Sequence, residues 1–175
     1  GYSLPAVSLS RKDLQEVESK MITAILPKMG YNRKLPREVV FGPFNQGGIG
    51  LASLYTTQGT AHVMTAIRQT RMNTGQLSNV LQIAEEWAQK HTGTERRVCE
   101  DVAGDMPQLP DGFIKNTREF LQKGKSRLHY TCDACLEKVR DHDRLIMEDV
   151  KRSPFLSNRD IEEINFCRLY LQAET

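Results

Sequence analysis

Apolar residues recur at steps of three and four along most of this chain, and this spacing constrains its fold more than any other feature. The step matches the roughly 3.6-residue period of an α-helix rather than the two-residue alternation of a strand. Ser10 suits a helix N-cap, so the pattern after it predicts a helix over about residues 10–26. Strand candidates are limited to residues 39–41 and 128–131. We therefore expect a mainly α-helical bundle with little or no β-structure.

The clearest helical pattern ends just before Gly93, a residue typical of helix C-termini. We expect its apolar face to supply core packing through Leu77, Val80, Leu81, Ala84, Trp87 and Ala88. The turn-rich segment 104–112 predicts a boundary between two helical domains, residues 1–103 and residues 104–175. Three later helices are expected, at about 113–123, at 136–150 and after Ser157 or Asn158. Pro36 and Pro43 predict extended or turn structure between them.

Composition places the chain among ordinary globular proteins. Of its 175 residues, 26% are charged and 39% hydrophobic, and the net charge is only +2. A nucleic-acid partner would therefore have to meet a local basic patch. The four cysteines are too scattered for a disulfide framework, and no apolar run approaches the roughly 20 residues of a membrane span. We expect an intracellular protein, nuclear or cytoplasmic, with no membrane partner, cut from a longer chain.

A CxxC pair is the one metal-like motif. Cys132 and Cys135 have the spacing of a zinc knuckle, and His129 precedes them by three residues. A closed zinc site needs four ligands, and no second paired motif supplies the rest. We therefore predict no cofactor, with Cys132, Cys135 and His129 as the candidate ligands if zinc binds. Two thiols without a metal fit the same pattern.

Catalytic motifs are missing from the sequence. His142 lies between Asp141 and Asp143, an order that could orient an imidazole as a general base. Its place at the edge of an apolar helical face favours packing or solvation instead. We find no serine elbow, phosphate loop, dinucleotide fingerprint or adjacent aspartate pair. We therefore predict that this chain is not an enzyme in isolation.

A basic segment and a glycine-rich turn form the most informative stretch. Lys28, Arg33, Lys34 and Arg37 fall within ten positions and precede Asn45 and the run Gly47-Gly48-Ile49-Gly50. Glycines permit a positive φ or a close backbone approach, and cations suit phosphate contacts. We expect the four cations, with Asn45, Gly47 and Gly48, to contact a nucleic-acid backbone.

The same stretch resembles a known family. Met29-Gly30-Tyr31-Asn32-Arg33, Pro36-Arg37, Gly47-Gly48-Ile49-Gly50-Leu51 and Gln58-Gly59 are similar to the segment after the catalytic palm in reverse transcriptases of LINE-type (non-LTR) retroelements. His142–Met147 and Ile164–Gln172 resemble later blocks of the same reading frames, so the resemblance spans most of the chain.

The resemblance implies a thumb-like bundle with a C-terminal helical connection. Such a module cradles the template–primer duplex, while the polymerase aspartates and their magnesium belong to the palm upstream. The implied partners are nucleic acid and the polymerase palm and fingers. The alternative is a helical protein-interaction module without nucleic-acid binding, whose mark would be an exposed apolar patch.

Overall fold

The structure is a computed structural model that describes residues 7–72, 75–130 and 142–175. Within these residues the fold is mainly helical and contains no strand, as the sequence predicted. The helices are α1 (Arg11–Lys28), α2 (Arg37–Phe41), α3 (Leu54–Met72), α4 (Gln76–Thr92), α5 (Phe113–Lys123), α6 (Ile146–Arg152) and α7 (Asn158–Leu171), with one 3₁₀ turn at Phe44–Gln46.

Contacts divide the chain into two compact units, Gly1–His62 and Val63–Thr175. The domain boundary predicted near residue 103 lies inside the second unit. There Arg118 of α5 donates to the carbonyl oxygens of Ala103 and Gly104, at 3.2 and 3.0 Å, so this segment is tied to the helix that follows it.

The first unit is built around α1, α2 and the segments that fold over them. Ser10 caps α1 by accepting a hydrogen bond from the Asp13 N–H, as its sequence position predicted. The core of this unit contains Ile22, Leu26, Val40 and Ile49, packed against Leu35, Phe41 and Leu51. Glu18 is buried and accepts hydrogen bonds from Ser53 Oγ at 2.9 Å and Leu54 N at 2.8 Å, which places a carboxylate at the N-terminus of α3.

The second unit packs α4 against α5 and α6 against α7. One apolar cluster contains Ala66, Cys99, Leu121, Leu128 and Tyr130, and another contains Ala88, Val98, Met106 and Leu109. Gly93 ends α4 in the left-handed conformation, with a φ of 65°. Ser157 and Asp160 form a capping box at the start of α7. These end signals agree with the sequence-based expectations.

The short elements between the prolines were predicted wrongly. Residues 37–41, expected as extended or turn structure, form the helix α2, because Pro36 stands before its first turn, where a missing N–H is harmless. Residues 128–130 are not paired as a strand. Of the helix expected over 136–150, the described part begins only at Ile146, and residues 136–141 lie outside the described part of the chain.

The face that α4 buries matches the prediction only in part. Ala88 is buried in a core cluster and Leu81 packs against another, as expected, but other residues of the predicted face are exposed. Leu77, Val80, Ile83 and Trp87 are each more than half exposed, and the buried residues include Ser78, Glu85, Gln89 and Thr92. Hydrogen bonds make this possible. Ser78 Oγ donates to the Gln69 carbonyl, and Gln89 Nε2 donates to the Glu95 carbonyl. The exposed apolar stripe of α4 is therefore not core, because satisfied polar groups occupy the buried side.

Candidate nucleic-acid interface

Apolar anchors hold the basic segment, residues 28–37, against the core of the first unit. Leu26 and Val40 are fully buried on either side of it, and Leu35 packs on the same cluster. The chain leaves α1 through Gly30, which has a φ of +82°, while the Tyr31 N–H donates to the Leu26 carbonyl at 2.9 Å. Next the Asn32 side chain accepts from the Lys34 N–H at 2.9 Å and tightens the turn. A fixed backbone therefore carries the basic side chains.

The four predicted cations are all exposed. Lys28 ends α1, Arg33 and Lys34 lie in the turn, and Arg37 begins α2. None of the four forms an ion pair with any residue in the described part of the chain. Exposed cations without an acidic partner are available to an external anion, since no internal contact has to be broken first.

Acidic residues are sparse around this segment. Between Glu18 and Glu38 the sequence contains Lys20 and the four cations above but no Asp or Glu. Because Glu18 is buried against α3, its charge is not on this surface. The first unit holds seven Lys or Arg against four Asp or Glu, and the second holds seventeen against eighteen. The small net positive charge of the chain is thus concentrated in the first unit.

The glycine turn folds back on α2. Ile49 N donates to the Val39 carbonyl at 2.8 Å, and Leu51 N donates to the Val40 carbonyl at 3.1 Å. Arg37 begins the same helix, which is roughly 7 Å long for its five residues. The basic segment and the glycine turn therefore belong to one structure and share one apolar cluster, which also includes Leu51. Sequence analysis placed them in one interface without this connection.

Gly47 and Gly48 both make hydrogen bonds within the turn, and Gly48 also approaches Gly42 closely. A Cβ on Gly48 would lie 2.0 Å from the Gly42 carbonyl oxygen, so its close approach is to the chain itself. The N–H groups of Gly47 and Gly48 donate to the carbonyls of Phe44 and Pro43, both at 3.1 Å. An amide contact with phosphate would require this turn to open. Asn45 and Gly47 are exposed, and the placement of Asn45, Gly47 and Gly48 in an interface stays a prediction.

Phe44 is a residue that sequence analysis missed. Its side chain is 78% exposed, although its ring lies 2.7 Å from where a Gly50 Cβ would stand. Tyr31, in the basic segment, is about half exposed. Exposed aromatic rings near cations suit stacking on nucleic-acid bases. The position of Phe44 as a large aromatic residue inside a Pro- and Gly-rich turn could have indicated this exposure from the sequence.

The candidate metal and catalytic residues are not brought together in the described part of the chain. Cys132, Cys135 and Asp141 lie outside the described residues. His129 is exposed, with Nδ1 3.6 Å from Glu100 Oε1, and His142 is exposed in the turn before α6. No group of three or more His, Cys, Asp or Glu within the described ranges could hold a metal ion.

Titratable groups with raised pKa values occur in the packing of the second unit. Burial raises the pKa of Glu85, which accepts hydrogen bonds from Tyr130 at 2.7 Å and Arg97 at 3.0 Å. Burial also raises the pKa of the neighbouring Cys99 thiol to about 12, so it stays protonated and unreactive at neutral pH. Both groups are buried in the packing of the second unit and do not form an open site.

Comparisons with protein-family models, curated proteins and solved structures give no match to this chain. Within the described residues, no helix combines the length and the apolar character that crossing a bilayer requires.

Proposed function

We propose that the first unit binds the sugar–phosphate backbone of a nucleic-acid duplex through its basic segment. The observation that carries the proposal is the exposure of Lys28, Arg33, Lys34 and Arg37 without acidic partners on a turn fixed by core contacts. Cations held on a rigid backbone position a protein on phosphates without reading sequence. The resemblance to the post-palm region of LINE-type reverse transcriptases supports a template–primer duplex as the ligand, inside the cell.

The role in this proposal is binding and not catalysis. The basic segment and glycine turn supply cations, amides and rings but no general base or nucleophile. In a polymerase such a module would hold the duplex while the magnesium and aspartates of the palm perform nucleotide transfer. The palm and fingers are then its protein partners in the parent enzyme.

Salt dependence is the sharpest test of backbone binding. With four phosphate contacts, the logarithm of the association constant should fall with the logarithm of salt concentration at a slope of about −3.6. That corresponds to roughly a hundredfold loss of affinity between 50 and 200 mM salt. The measurement is fluorescence anisotropy of a labelled RNA–DNA hybrid duplex titrated with the protein.

Two matched double variants separate the contribution of the basic segment to binding from that of surface charge in general. Arg33→Ala with Lys34→Ala should reduce the slope by about 1.8 and weaken binding at every salt concentration. Lys12→Ala with Arg152→Ala removes two exposed cations elsewhere and should leave the slope unchanged. Absence of binding at low salt, or equal losses in both double variants, would contradict the proposal.

A second candidate is protein docking through the apolar stripe of α4. Leu77, Val80, Ile83 and Trp87 are 56, 61, 64 and 53% exposed on one helix. Leu77, Val80, Ala84 and Trp87 follow steps of three and four, the pattern by which helices pack on one another. We propose a helix of the polymerase palm or fingers as the occupant, in keeping with the resemblance.

Trp87 provides the readout for this second candidate because it is the only tryptophan. On mixing with the upstream polymerase segment of the parent reading frame, its emission should shift to the blue as the ring leaves water. Val80→Gln with Ile83→Gln should abolish the shift, and Met64→Gln, an exposed apolar residue on α3, should not. An unchanged emission spectrum on mixing would refute docking on α4.

A further inference from the structure

A cleft in the second unit brings together two arginines that are distant in sequence. It lies between the last two turns of α3 and the segment 127–130, and its volume is about 610 Å³. Pockets for small molecules usually measure about 300–1,000 Å³. Arg71 lines the cleft from α3, and Arg127 lines it from the segment after α5. These two residues stand 56 positions apart, and no local pattern pairs them.

The described lining of the cleft carries positive charge. No acidic residue lines it among the residues that the structure describes, where its lining is Ile67, Thr70, Arg71, Arg127, Leu128, His129 and Tyr130. Neither arginine side chain is hydrogen-bonded or ion-paired within those residues. By contrast, Arg97, Arg118 and Arg168 all bind internal oxygens. His129 lies beside Glu100, and the Tyr130 hydroxyl donates to the buried Glu85, so the acidic neighbours bind these two residues and not the arginines.

The remaining wall of the cleft is apolar and fixed. Leu128 and Tyr130 are buried, and Leu128 N donates to the Cys99 carbonyl at 3.0 Å. Arg97 lies 4.5 Å from the centre of the Tyr130 ring, and the Tyr130 hydroxyl binds Glu85 at 2.7 Å. These contacts hold the segment 127–130 in place, so Arg127 is presented by a backbone that other groups already anchor.

We propose that this cleft binds a nucleotide, with its phosphate between Arg71 and Arg127 and its base against Ile67 and Leu128. Guanidinium groups suit phosphate because their paired N–H donors match its oxygens. The nucleotide can be free or part of a single strand. This inference does not depend on duplex binding, because every residue of the cleft lies in Val63–Thr175 and the basic segment lies in the other unit.

Isothermal titration calorimetry of the whole chain with four probes tests whether the cleft binds a nucleotide. The probes are adenosine 5′-monophosphate, adenosine, inorganic phosphate and a single-stranded oligoadenylate of four residues. The monophosphate should bind saturably and more tightly than either adenosine or inorganic phosphate alone, because only it contacts both walls. If oligoadenylate competes with the monophosphate and binds at least about tenfold more tightly than it, the natural ligand is a single strand. Otherwise the natural ligand is the free nucleotide.

Exposed positions allow clean variants. Arg71→Gln and Arg127→Gln should each weaken monophosphate binding by at least about tenfold, the effect of losing a charge-assisted hydrogen bond. Arg68→Gln is the control, since Arg68 is exposed on the same helix but does not line the cleft. Arg33→Ala with Lys34→Ala should leave monophosphate binding unchanged even if it abolishes duplex binding. Absence of saturable binding, or an equal loss in Arg68→Gln, overturns the proposal.

Discussion

Arg168 of α7 donates hydrogen bonds to the carbonyl oxygens of Lys90 and His91, at 2.8 and 2.7 Å, and so closes the C-terminal end of α4. Its side chain is only 1% exposed, and Nη1 binds Glu174 at 2.5 Å. A guanidinium in this position donates to carbonyls of the last helical turn, where intrahelical donors run out, and it shares the Lys90 carbonyl with the Gly93 N–H. It also brings a positive charge to the negative end of the helix dipole.

Truncation of Arg168 should therefore destabilise the second unit. We expect Arg168→Ala to lower the free energy of unfolding by at least about 2 kcal/mol, because the buried Asn165 amide and the part-buried carbonyls of Lys90 and His91 lose a donor. Arg168→Lys should recover only part of this, since an ammonium cannot span the same set of oxygens. Urea unfolding followed by circular dichroism measures both. Arg159→Ala, on the exposed face of α7, should stay within about 0.5 kcal/mol of the parent; a similar result for Arg168→Ala would contradict the contact.

The Tyr130–Glu85 hydrogen bond offers a second test of the interior. Tyr130→Phe removes the 2.7 Å bond and leaves a buried carboxylate with one donor fewer, so we expect a loss of about 1–3 kcal/mol in unfolding free energy. Glu85→Gln should lower the free energy of unfolding by a similar amount, because Arg97 then loses its carboxylate partner. A double-mutant cycle should give a coupling of about 1 kcal/mol or more. Tyr170→Phe, 80% exposed, is the control, and a coupling near zero would refute the bond.

Sequence analysis was most successful where one or two neighbouring residues determine the structure. Ser10, Gly93 and Ser157 mark helix ends through bonds within a few residues, and all three lie where expected. The four cations of the basic segment, which we expected on a contact surface, are all exposed, and their contact with nucleic acid stays a prediction.

The predicted buried face of α4 was partly wrong because residues distant in sequence determine which of its side chains are buried. Nothing near Glu85 in the sequence indicates that it is buried, because Tyr130 is 45 residues away. With Glu85 pointing inward, Leu77, Val80 and Trp87 of the predicted core face are exposed, while Ala88 of the same face stays buried. Arg71 and Arg127 likewise meet in one cleft only through contacts between residues distant in sequence. Local periodicity cannot supply such long-range contacts.

Acidification should weaken the first unit through His62. This residue is fully buried, and burial lowers its pKa below the usual value, with a hydrogen bond to the Val7 backbone opposing the shift in part. The unfolded chain therefore takes up a proton near pH 6.5 that the folded chain refuses. The stability that His62 contributes is complete above pH 6.5 and is lost as the pH falls toward its folded pKa.

Chemical unfolding at pH 7.5 and 5.5 measures this effect. The parent should lose up to about 1.4 kcal/mol through this group between the two values. Between pH 7.5 and 5.5, the His62→Gln variant should lose correspondingly less unfolding free energy than the parent. The variant His142→Gln, at an exposed position, should lose as much as the parent does. Glu85 acts in the opposite direction, because its raised pKa favours the folded state at low pH, but it is common to all three proteins. Equal pH dependence in His62→Gln and the parent would show that His62 is not buried in its neutral form.

Gly48 and Gly47 should respond differently to the same substitution. Gly47 has a φ of +82° but open space where a Cβ would be, so Gly47→Ala should cost only about 1–2 kcal/mol of backbone strain. Gly48→Ala would place its methyl group 2.0 Å from the Gly42 carbonyl oxygen, and backbone atoms cannot yield as a side chain can. The turn would have to move away from α2, breaking the bonds that Ile49 and Leu51 make with Val39 and Val40. We expect a loss of at least about 3 kcal/mol in urea unfolding; equal losses for the two variants would mean that the turn does not pack on α2 in solution.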